Sequence, residues 1–441
     1  SVYLARDLLG TKPLYWSRLD GHLLVASQVK ALVPAGGPVT EVPPGQHGWA
    51  EPDAGPDLVP FADLASLAES GPPVEDPAQA GPLLLAALRD SIAARLDTSL
   101  PVGVVVTGGV DDALILLQAR ERHPGCVALT IGAPGSEDLA VTSRLAADLG
   151  VRHEVVELRP GDLHPGDIRE AIRISELNEY GDIINAVISV PVFRRARELG
   201  LGVVLTGDGC AELFGGYPMY DRAGPDGPRL LLHRAGHLRR TELQRLDRIA
   251  GEFGVDARMP FLDLGLVGLA LRMPTELKLR DGYDQWIVRA AASGWLPGYI
   301  LQRPQAALSH SSGLHERARL YRPLFARMHR SFGYDLLEPL RRDFSVVLRQ
   351  AGDDLDAAIE HSAARPDYTA LEHARDLAGA VRRNAPLMRR GAVARRESPH
   401  PVRAARLSSG CGKSRRTGRN YTALRHVSDL DRRPAVWGEF A

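Results

Sequence analysis

A glycine turn in the first third of the chain carries residues that could bind a phosphate. The apolar run Val102–Val106 predicts a buried strand, and the segment Thr107–Asp112, Thr-Gly-Gly-Val-Asp-Asp, connects it directly to a helical pattern. Such a turn presents backbone N–H groups and the positive end of a helix dipole to an anion. Gly108 and Gly109 let the backbone approach that anion closely. The Asp111 carboxylate could hold a magnesium ion that bridges phosphate oxygens.

The same pattern has a second explanation, a structural turn in which Asp111 caps the helix N-terminus. The neighbouring sequence favours phosphate binding, because alternating strand and helix patterns predict a parallel sheet with helices on both faces, a doubly wound α/β fold. Ligands of such sheets bind beyond the carboxyl ends of the strands, which points to the loops after Val106 and Leu205. The alternating segments are 83–96, 102–106, 111–122, 126–131, 137–149 and 153–158.

The remaining regions differ in composition. Short apolar runs between turn residues predict β structure up to about residue 50, and weak periodicity with many Pro, Gly and acidic residues predicts a linker. Proline-broken helical patterns over 241–325 predict a helical layer, and an Arg-rich, Ser-rich end with few large apolar residues predicts a disordered tail. The predicted regions are 1–53, a linker over 54–81, an α/β domain over 82–385 and the tail over 386–441.

The composition excludes several classes of protein. The 441 residues include 54 Lys and Arg against 54 Asp and Glu, and this zero net charge argues against a globally basic nucleic-acid binder. The apolar runs are shorter than the ~18 residues that a membrane-spanning helix requires. Cys126, Cys210 and Cys411 lie far apart, so they predict neither a metal site nor a disulfide framework, and they favour a reducing, cytoplasmic location.

Several motifs, in order along the chain, resemble the asparagine synthetase family. Thr107–Asp112 is similar to the family's Ser-Gly-Gly-x-Asp-Ser-Ser loop, and Val204–Tyr217 resembles its Leu-Ser-Gly-Glu-Gly-Ala-Asp-Glu-Leu-Phe-Gly-Gly-Tyr signature. Asp256–Asp263 resembles Glu-x-Arg-x-Pro-Phe-Leu-Asp, and Leu296–Pro304 is similar to the family's helical close. Ala5–Tyr15 looks like the second half of the family's glutaminase domain. The resemblance covers about residues 4–50 and 83–325.

This resemblance implies a two-part enzyme. The fold would be an ATP pyrophosphatase domain with a helical C-terminal layer, preceded by the C-terminal part of a β-rich, N-terminal-nucleophile glutaminase domain. The family uses ATP and Mg²⁺ to adenylate a carboxylate, typically aspartate, and joins it to ammonia or an amine as an amide, releasing AMP and pyrophosphate. The implied site residues are Asp208, Asp256 and Gln305 for catalysis, Val106, Thr107, Gly108, Gly109, Asp111, Asp112, Ile131 and Gly207 for the nucleotide, and Asp111 and Asp112 for the metal.

Departures from the family pattern leave two hypotheses open. The magnesium-binding Asp of the second signature is Ala211 here, and the family's catalytic Lys is Gln305, whose amide carries no charge. Asp112 stands where the loop has Ser. In one hypothesis Asp112 replaces the missing ligand, with Arg303 or Arg289 in place of the lysine. In the other, the chain is a non-catalytic paralogue that serves as a nucleotide-binding or partner protein.

The sequence also sets expectations about partners. It starts with Ser1 rather than the Cys nucleophile of the family's glutaminase domain, so we expect no glutamine hydrolysis by this chain. The expected partners are a small-molecule carboxylate, ammonia or an amine, a separate glutaminase subunit and a second copy of the chain, without membrane or nucleic acid. Ser409–Ser414 resembles the end of a P-loop by coincidence. His310 and His315 are candidate proton carriers near Gln305.

Overall fold

The N-terminal sixty residues of the computed structural model form two small antiparallel sheets. The structure describes residues 1–306, 308–337 and 340–363. The elements of this first region are strands β1 (Val2–Ala5), β2 (Tyr15–Leu19), β3 (His22–Ala26), β4 (Thr40–Glu41), β5 (Gln46–Glu51) and β6 (Gly55–Pro60), with helix α1 (Val29–Leu32). The strand orders are β1-β5-β6 and β3-β2-β4. The β structure predicted up to about residue 50 is therefore confirmed.

The predicted linker over 54–81 differs from the structure at its beginning. Strand β6 lies inside it and pairs antiparallel with the whole of β5. It is an edge strand, where Pro56 and Pro60 are tolerated because the outer N–H groups need no partner. Because of these prolines, the sequence pattern of this segment does not predict a strand. A short helix, α2 (Leu64–Ala68), and the first turns of α3 (Pro77–Arg95) also fall within the predicted linker.

Five strands form a central parallel sheet, which confirms the predicted α/β fold. They are β7 (Val102–Val105), β8 (Val127–Gly132), β9 (Arg152–Glu157), β10 (Val203–Leu205) and β11 (Asp256–Arg258). Their order is β11-β10-β7-β8-β9. The chain therefore moves outward from β7 to β9 and then returns to the other side of β7 at β10. This change of direction opens a crevice between the carboxyl ends of β7 and β10, where doubly wound sheets bind their ligands.

Helices cover the sheet and form the predicted helical layer after it. Pro260, Pro274, Pro297 and Pro304 all lie between its α-helices, in agreement with their predicted role as breaks. The helices are α4 (Val110–Arg122), α5 (Glu137–Leu149), α6 (Pro165–Ser175), α7 (Tyr180–Glu198), α8 (Cys210–Phe214), α9 (Gly227–His237), α10 (Glu242–Glu252), α11 (Leu264–Leu271), α12 (Trp286–Ala292), α13 (Gly298–Leu301), α14 (Leu308–Ser311), α15 (His315–Arg319), α16 (Arg322–Ser331), α17 (Phe344–Gln350) and α18 (Leu355–Ala363).

A buried polar contact joins the N-terminal sheets to the helical layer. Arg248 of α10 donates to the Tyr15 hydroxyl at 2.7 Å and forms an ion pair with Glu176 at 2.8 Å. The Arg248 and Glu176 side chains are fully buried. Tyr15 also belongs to the main hydrophobic core, so the two regions share one interior.

Two further expectations concern membranes and the tail. None of the helices in the described residues has the length and apolar character needed to cross a membrane. The predicted tail over 386–441, the P-loop-like segment Ser409–Ser414 and the last part of the predicted α/β domain lie outside the described residues.

Candidate functional site

The turn after β7 is closed by its own carboxylates. The Asp112 carboxylate accepts hydrogen bonds from the Thr107 N–H at 2.9 Å and from the Thr107 hydroxyl at 2.6 Å, both to Oδ2. The Asp112 N–H in turn donates to Asp111 Oδ1 at 2.9 Å. The Thr107 N–H and hydroxyl, which could bind an external anion, therefore already bind the Asp112 carboxylate. Both carboxylates lie in the first turn of α4, on the positive end of its dipole.

Arg303 fixes this turn from outside. Its Nη1 donates to the Thr107 carbonyl at 2.6 Å, its Nη2 to the buried Asp138 carboxylate at 2.5 Å, and its Nε to Glu137 at 3.2 Å. Gly108 has a φ of +87°, and a Cβ there would lie 2.6 Å from Arg303 Nη1, so this position requires glycine. Arg303 thus positions the loop, and each of its guanidinium nitrogens already has a partner.

Arg289, the other candidate substitute for the family's lysine, is also engaged. Its guanidinium binds the Asp284 carboxylate and the backbone carbonyls of Asp284, Leu301 and Arg303. The second Asp284 oxygen accepts the Gln305 N–H at 3.0 Å. Arg289 and Asp284 therefore place Gln305 at the cleft. The Arg289 charge also lowers the pKa of Asp111, although burial has the larger, opposite effect.

The turn after β10 lies beside the first one. Gly207 faces the carboxylates of the β7 loop, because a Cβ there would lie 2.5 Å from Asp112 Oδ1 and 3.1 Å from Asp111 Cγ. Asp208 is paired with Arg245 of α10 at 2.6 Å. Ala211, in the first turn of α8, presents a methyl group to the same space. Two loops that are distant in sequence thus meet across the crevice between β7 and β10.

Glu212 closes the second loop from below. One of its oxygens accepts the Gly209 N–H at 3.1 Å, and the other accepts the Tyr217 hydroxyl. The Glu212 side chain therefore satisfies the N–H of the residue that precedes α8, which is the glutamate half of a capping box. Glu212 is 1% exposed.

Both loops open on one cleft. Six residues that the sequence assigned to the site line it together with Ala211, and so do several polar residues that were not assigned to it. The first group is Thr107, Asp111, Asp112, Gly207, Asp208 and Gln305; the second is Asn185, Ser189, Thr206, Glu212, Tyr217, Glu242 and Arg245. Glu242 and Arg245 are separated by three positions on α10, and an amphipathic pattern was the only sequence signal available for them.

Other predicted site residues lie away from the cleft lining. Val106 and Ile131 are each 1% exposed and belong to the hydrophobic core. Gly108 and Gly109 form the turn beneath the lining side chains. The His310 and His315 rings stack on each other with centroids 3.7 Å apart, and neither lines this cleft.

Asp256 does not join Asp208 and Gln305, contrary to the prediction. It is the first residue of β11 and pairs with Val203, the first residue of β10, so it lies at the amino end of the parallel sheet. Its half-exposed carboxylate binds the Arg258 Nε at 2.8 Å. Motif similarity could not show the position of Asp256, because it does not reveal that Asp256 lies at the amino end of β11 and not at the carboxyl end, where the cleft is.

The cleft carboxylates have raised pKa values because they are buried. Burial, together with the charge of Asp208, raises the pKa of Asp111 to about 6. Burial and the neighbouring Asp111 raise the pKa of Asp112 well above its ordinary value. Burial also raises the pKa of Asp208, although Arg245 opposes it. Burial and the charge of Glu242 raise the pKa of Glu212 to about 8. The cleft therefore favours the arrival of positive charge.

The loop carboxylates fit a magnesium ion that is shared with a ligand. Among the described residues, no group of three or more His, Cys, Asp or Glu side chains is arranged to hold a metal by itself. Mg²⁺ is commonly bound through one or two carboxylates together with substrate phosphates and water. Asp111 and Asp112 meet that demand, and a cation between them would offset the burial that chiefly raises the pKa of each carboxylate.

The fold and the site together define a doubly wound α/β domain of the ATP pyrophosphatase type, with its glycine turn at the switch point. The family model described as asparagine synthase matches residues 83–230 and 222–343. The chain belongs to the asparagine synthase family. This confirms the family resemblance of the motifs.

Individual relatives agree with this assignment. The chain is 28% identical over 335 residues to asparagine synthetase B [glutamine-hydrolyzing] of Escherichia coli K12, covering 70% of this chain and 58% of the relative. It is 27% identical over 366 residues to a putative asparagine synthetase of Methanocaldococcus jannaschii, covering 71% and 66%. The chain thus spans about three fifths of these relatives' length. An NH3-dependent NAD synthetase structure from Campylobacter jejuni matches at 17% identity over 35% of this chain and 61% of that chain, with a TM-score of 0.22.

Proposed function

We propose that this protein is an ATP-dependent ligase that adenylates a carboxylate and converts it to an amide with ammonia or an amine, releasing AMP and pyrophosphate. The observation that carries the proposal is the meeting of the two glycine turns on one cleft. Thr107, Asp111 and Asp112 line its phosphate side, and Asp208 and Gln305 line it as well. Membership of the asparagine synthase family supports the same chemistry.

The chain's residues have distinct tasks in this proposal. The N-terminus of α4 binds phosphate oxygens, and Arg303 keeps the turn in shape. Asp111 and Asp112 would hold Mg²⁺, which when bound neutralises charge on the pyrophosphate leaving group. The Gln305 amide donates a hydrogen bond to the same group. A carboxylate oxygen of the substrate attacks the α-phosphorus as pyrophosphate leaves.

The second half of the reaction needs a proton acceptor. The amine attacks the acyl carbon, AMP leaves, and the nitrogen must lose a proton. Asp208 is the carboxylate that we assign to this task, because burial raises its pKa toward the range in which a carboxylate accepts protons efficiently. Arg245, 2.6 Å away, holds its orientation. Aspartate as the acid, and the predicted glutaminase subunit and homodimer, remain predictions.

A second candidate function is a nucleotide-binding paralogue without catalysis. The observations that favour it are the methyl group of Ala211 in the cleft and the use of the Thr107 N–H and hydroxyl by Asp112. In this alternative the chain would bind ATP, or a partner of the same fold, without releasing pyrophosphate. Both candidate functions use the β7 loop to bind the nucleotide, but only the ligase releases pyrophosphate.

Calorimetric titration with MgATP tests the proposal. We expect the purified chain to bind MgATP, and Asp111→Ala to weaken binding at least ~100-fold, since it removes a charged ligand. Asp112→Ser should weaken binding less, ~10-fold, because it removes the second proposed metal ligand but also releases the Thr107 N–H. Pyrophosphate release on addition of ammonium and a panel of carboxylic acids then separates the ligase from the inactive paralogue. No MgATP binding at millimolar concentration by either the natural chain or Asp112→Ser would end both candidates.

A further inference from the structure

A second cavity lies on the opposite side of α10 from the cleft. Glu242, Arg245 and Leu246 share the helix face that lines the cleft, whereas Gln244 points to the other side and lines the cavity. The N-terminal sheets, the loop between α6 and α7, and α16 supply most of the remaining lining. The cavity has a volume of about 260 Å³, which is enough for a small organic molecule. Its lining includes the exposed residue Thr40, which gives a ligand access from solvent.

His329 of α16 lines this cavity without a hydrogen-bond partner. It is 1% exposed, and neither of its ring nitrogens is bonded to any of the described residues. The Tyr334 ring, which also lines the cavity, packs edge-on against it with centroids 5.6 Å apart. Burial lowers the pKa of His329 to about 4, so the imidazole is neutral at pH 7. A neutral imidazole offers one N–H donor and one nitrogen acceptor, and buried polar groups of this kind nearly always have a partner.

Tyr15 and Gln244 add a second donor and a second acceptor. The Tyr15 hydroxyl accepts a hydrogen bond from Arg248 at 2.7 Å, and its own hydrogen has no acceptor in the part of the chain that the structure describes. The Gln244 Nε2 donates to the carbonyls of Ser175 and Glu176 at 3.1 and 2.9 Å, which leaves Oε1 as the acceptor of this amide. Arg248 also donates to the Ser175 carbonyl at 2.8 Å, so one anchor holds both side chains.

The charged side chains of the lining are already paired. Glu41 binds two guanidinium groups, one through each of its oxygens. Glu176 binds Arg248 at 2.8 Å and accepts two backbone N–H groups of α1 at 2.9 Å. Arg240 is engaged as well. An ionic ligand would therefore lose its hydration without gaining an unpaired counterion, and the cavity favours a neutral ligand.

From this set of groups we propose that the cavity binds a small molecule through a neutral primary carboxamide. The amide carbonyl accepts the Tyr15 O–H, and the amide NH2 donates to Gln244 Oε1 and to one ring nitrogen of His329. An ionised carboxylate could not donate to Gln244, and an ammonium could not accept from Tyr15. No cleft residue takes part, so binding here is independent of the proposed function.

Ligand-observed NMR and thermal unfolding of the full chain test this site in the absence of nucleotide. The matched probes are butyramide, butyrate and butylamine, which share a four-carbon chain and end in an amide, a carboxylate or an ammonium. We expect butyramide to bind saturably and to raise the melting temperature. Butyrate and butylamine should bind at least ~10-fold more weakly, because each leaves a buried polar group unpaired.

Two results would overturn the inference. One is binding of butyrate or butylamine as tight as that of butyramide, which would show that the cavity does not select an amide. The other is the absence of saturable butyramide binding, which would show that the cavity holds water only.

A variant localises the ligand. His329→Phe keeps an aromatic ring and removes both unpaired nitrogens, so the variant should melt no lower than the natural chain and bind butyramide at least ~10-fold more weakly. His233→Phe is the matched control, because His233 also has a buried nitrogen without a partner but does not line this cavity. It should leave butyramide affinity unchanged. If His329→Phe does not fold, Gln244→Met should show the same loss. Unchanged butyramide affinity in a folded variant of either cavity residue contradicts the inference.

Discussion

The turns after β7 and β10 share a similar place in the sheet but differ in how their carboxylates are compensated. Each follows a short buried strand, contains two glycines and leads into a helix. In the β7 turn, Asp111 and Asp112 bind only groups of their own loop and have no cationic partner within salt-bridge distance in the described residues. In the β10 turn, Asp208 is paired with Arg245. The carboxylates of the β7 turn therefore have no cationic partner in the described residues, whereas the carboxylate of the β10 turn is neutralised by Arg245.

This difference shows how one backbone pattern serves two tasks. Uncompensated carboxylates on a helix N-terminus form a site that a metal and a phosphate can complete together. A paired carboxylate has a fixed orientation and suits contact with a substrate or a proton. Ala211 fits this division, because it leaves the proposed metal ligands on the β7 turn alone.

Removing the partner in the β10 turn should have the largest effect. Arg245→Ala leaves Asp208 without its ion-pair partner, and both side chains are largely buried. We expect the free energy of unfolding at pH 8 to fall by about 3 kcal/mol, measured by urea denaturation.

The exposed pair of Arg229 and Asp356 supplies the control for this prediction. Arg229→Ala should leave the free energy of unfolding nearly unchanged, because solvent screens a surface pair. If the two variants lose equal stability, Asp208 does not depend on Arg245 and the contrast between the turns disappears.

Gly207 tests the close approach of the two turns. Gly207→Ala would place a Cβ 2.5 Å from Asp112 Oδ1, and Thr107 already holds that carboxylate through its other oxygen. We expect a loss of stability of about 2 kcal/mol from this overpacking, together with weaker MgATP binding. Gly125→Ala is the matched control, because nothing lies within 4 Å of a Cβ there. Equal melting temperatures for the two variants would show that the loops separate easily.

The fold was predictable where local pattern and topology agree. Continuous apolar runs such as Val102–Val106, alternating with helical segments, predicted the parallel sheet, and parallel strands must place their carboxyl ends together. Strand β6 was missed because Pro56 and Pro60 conceal an edge strand that depends on pairing with β5. Its existence depends on a tertiary contact, which local sequence does not encode.

The site was predictable only as far as its motifs extend. Thr107, Asp111, Asp112, Gly207 and Asp208 belong to the two glycine turns, and the structure brings them together. Glu242 and Arg245 reach the cleft from α10, and nothing local distinguishes them from other polar positions of an amphipathic helix. Motif similarity also placed Asp256 in the site, although the strand direction puts it at the other end of the sheet.

The smallest expected effect concerns Glu212, beneath the β10 turn. Its pKa is raised from 4.5 to about 8, mainly by burial. Between these pH values the folded protein binds the proton more tightly than the unfolded chain does, so this group lowers the free energy of unfolding as the pH rises through that range. The slope is at most ~1.4 kcal/mol per pH unit. Full stabilisation is present only below about pH 4.5.

Comparison with Glu212→Gln measures this pH dependence, because the glutamine side chain does not titrate. From pH 5 to pH 8, the wild-type free energy of unfolding should fall relative to that of the variant by ~1 kcal/mol or more, followed by urea denaturation at each pH. The exposed Glu316→Gln variant should track the wild type across the same range. A wild-type protein that instead gained stability relative to Glu212→Gln would mean that Glu212 is ionised and compensated, as Asp208 is by Arg245. The acidic character of the cleft would then rest on Glu242 and the β7 turn alone.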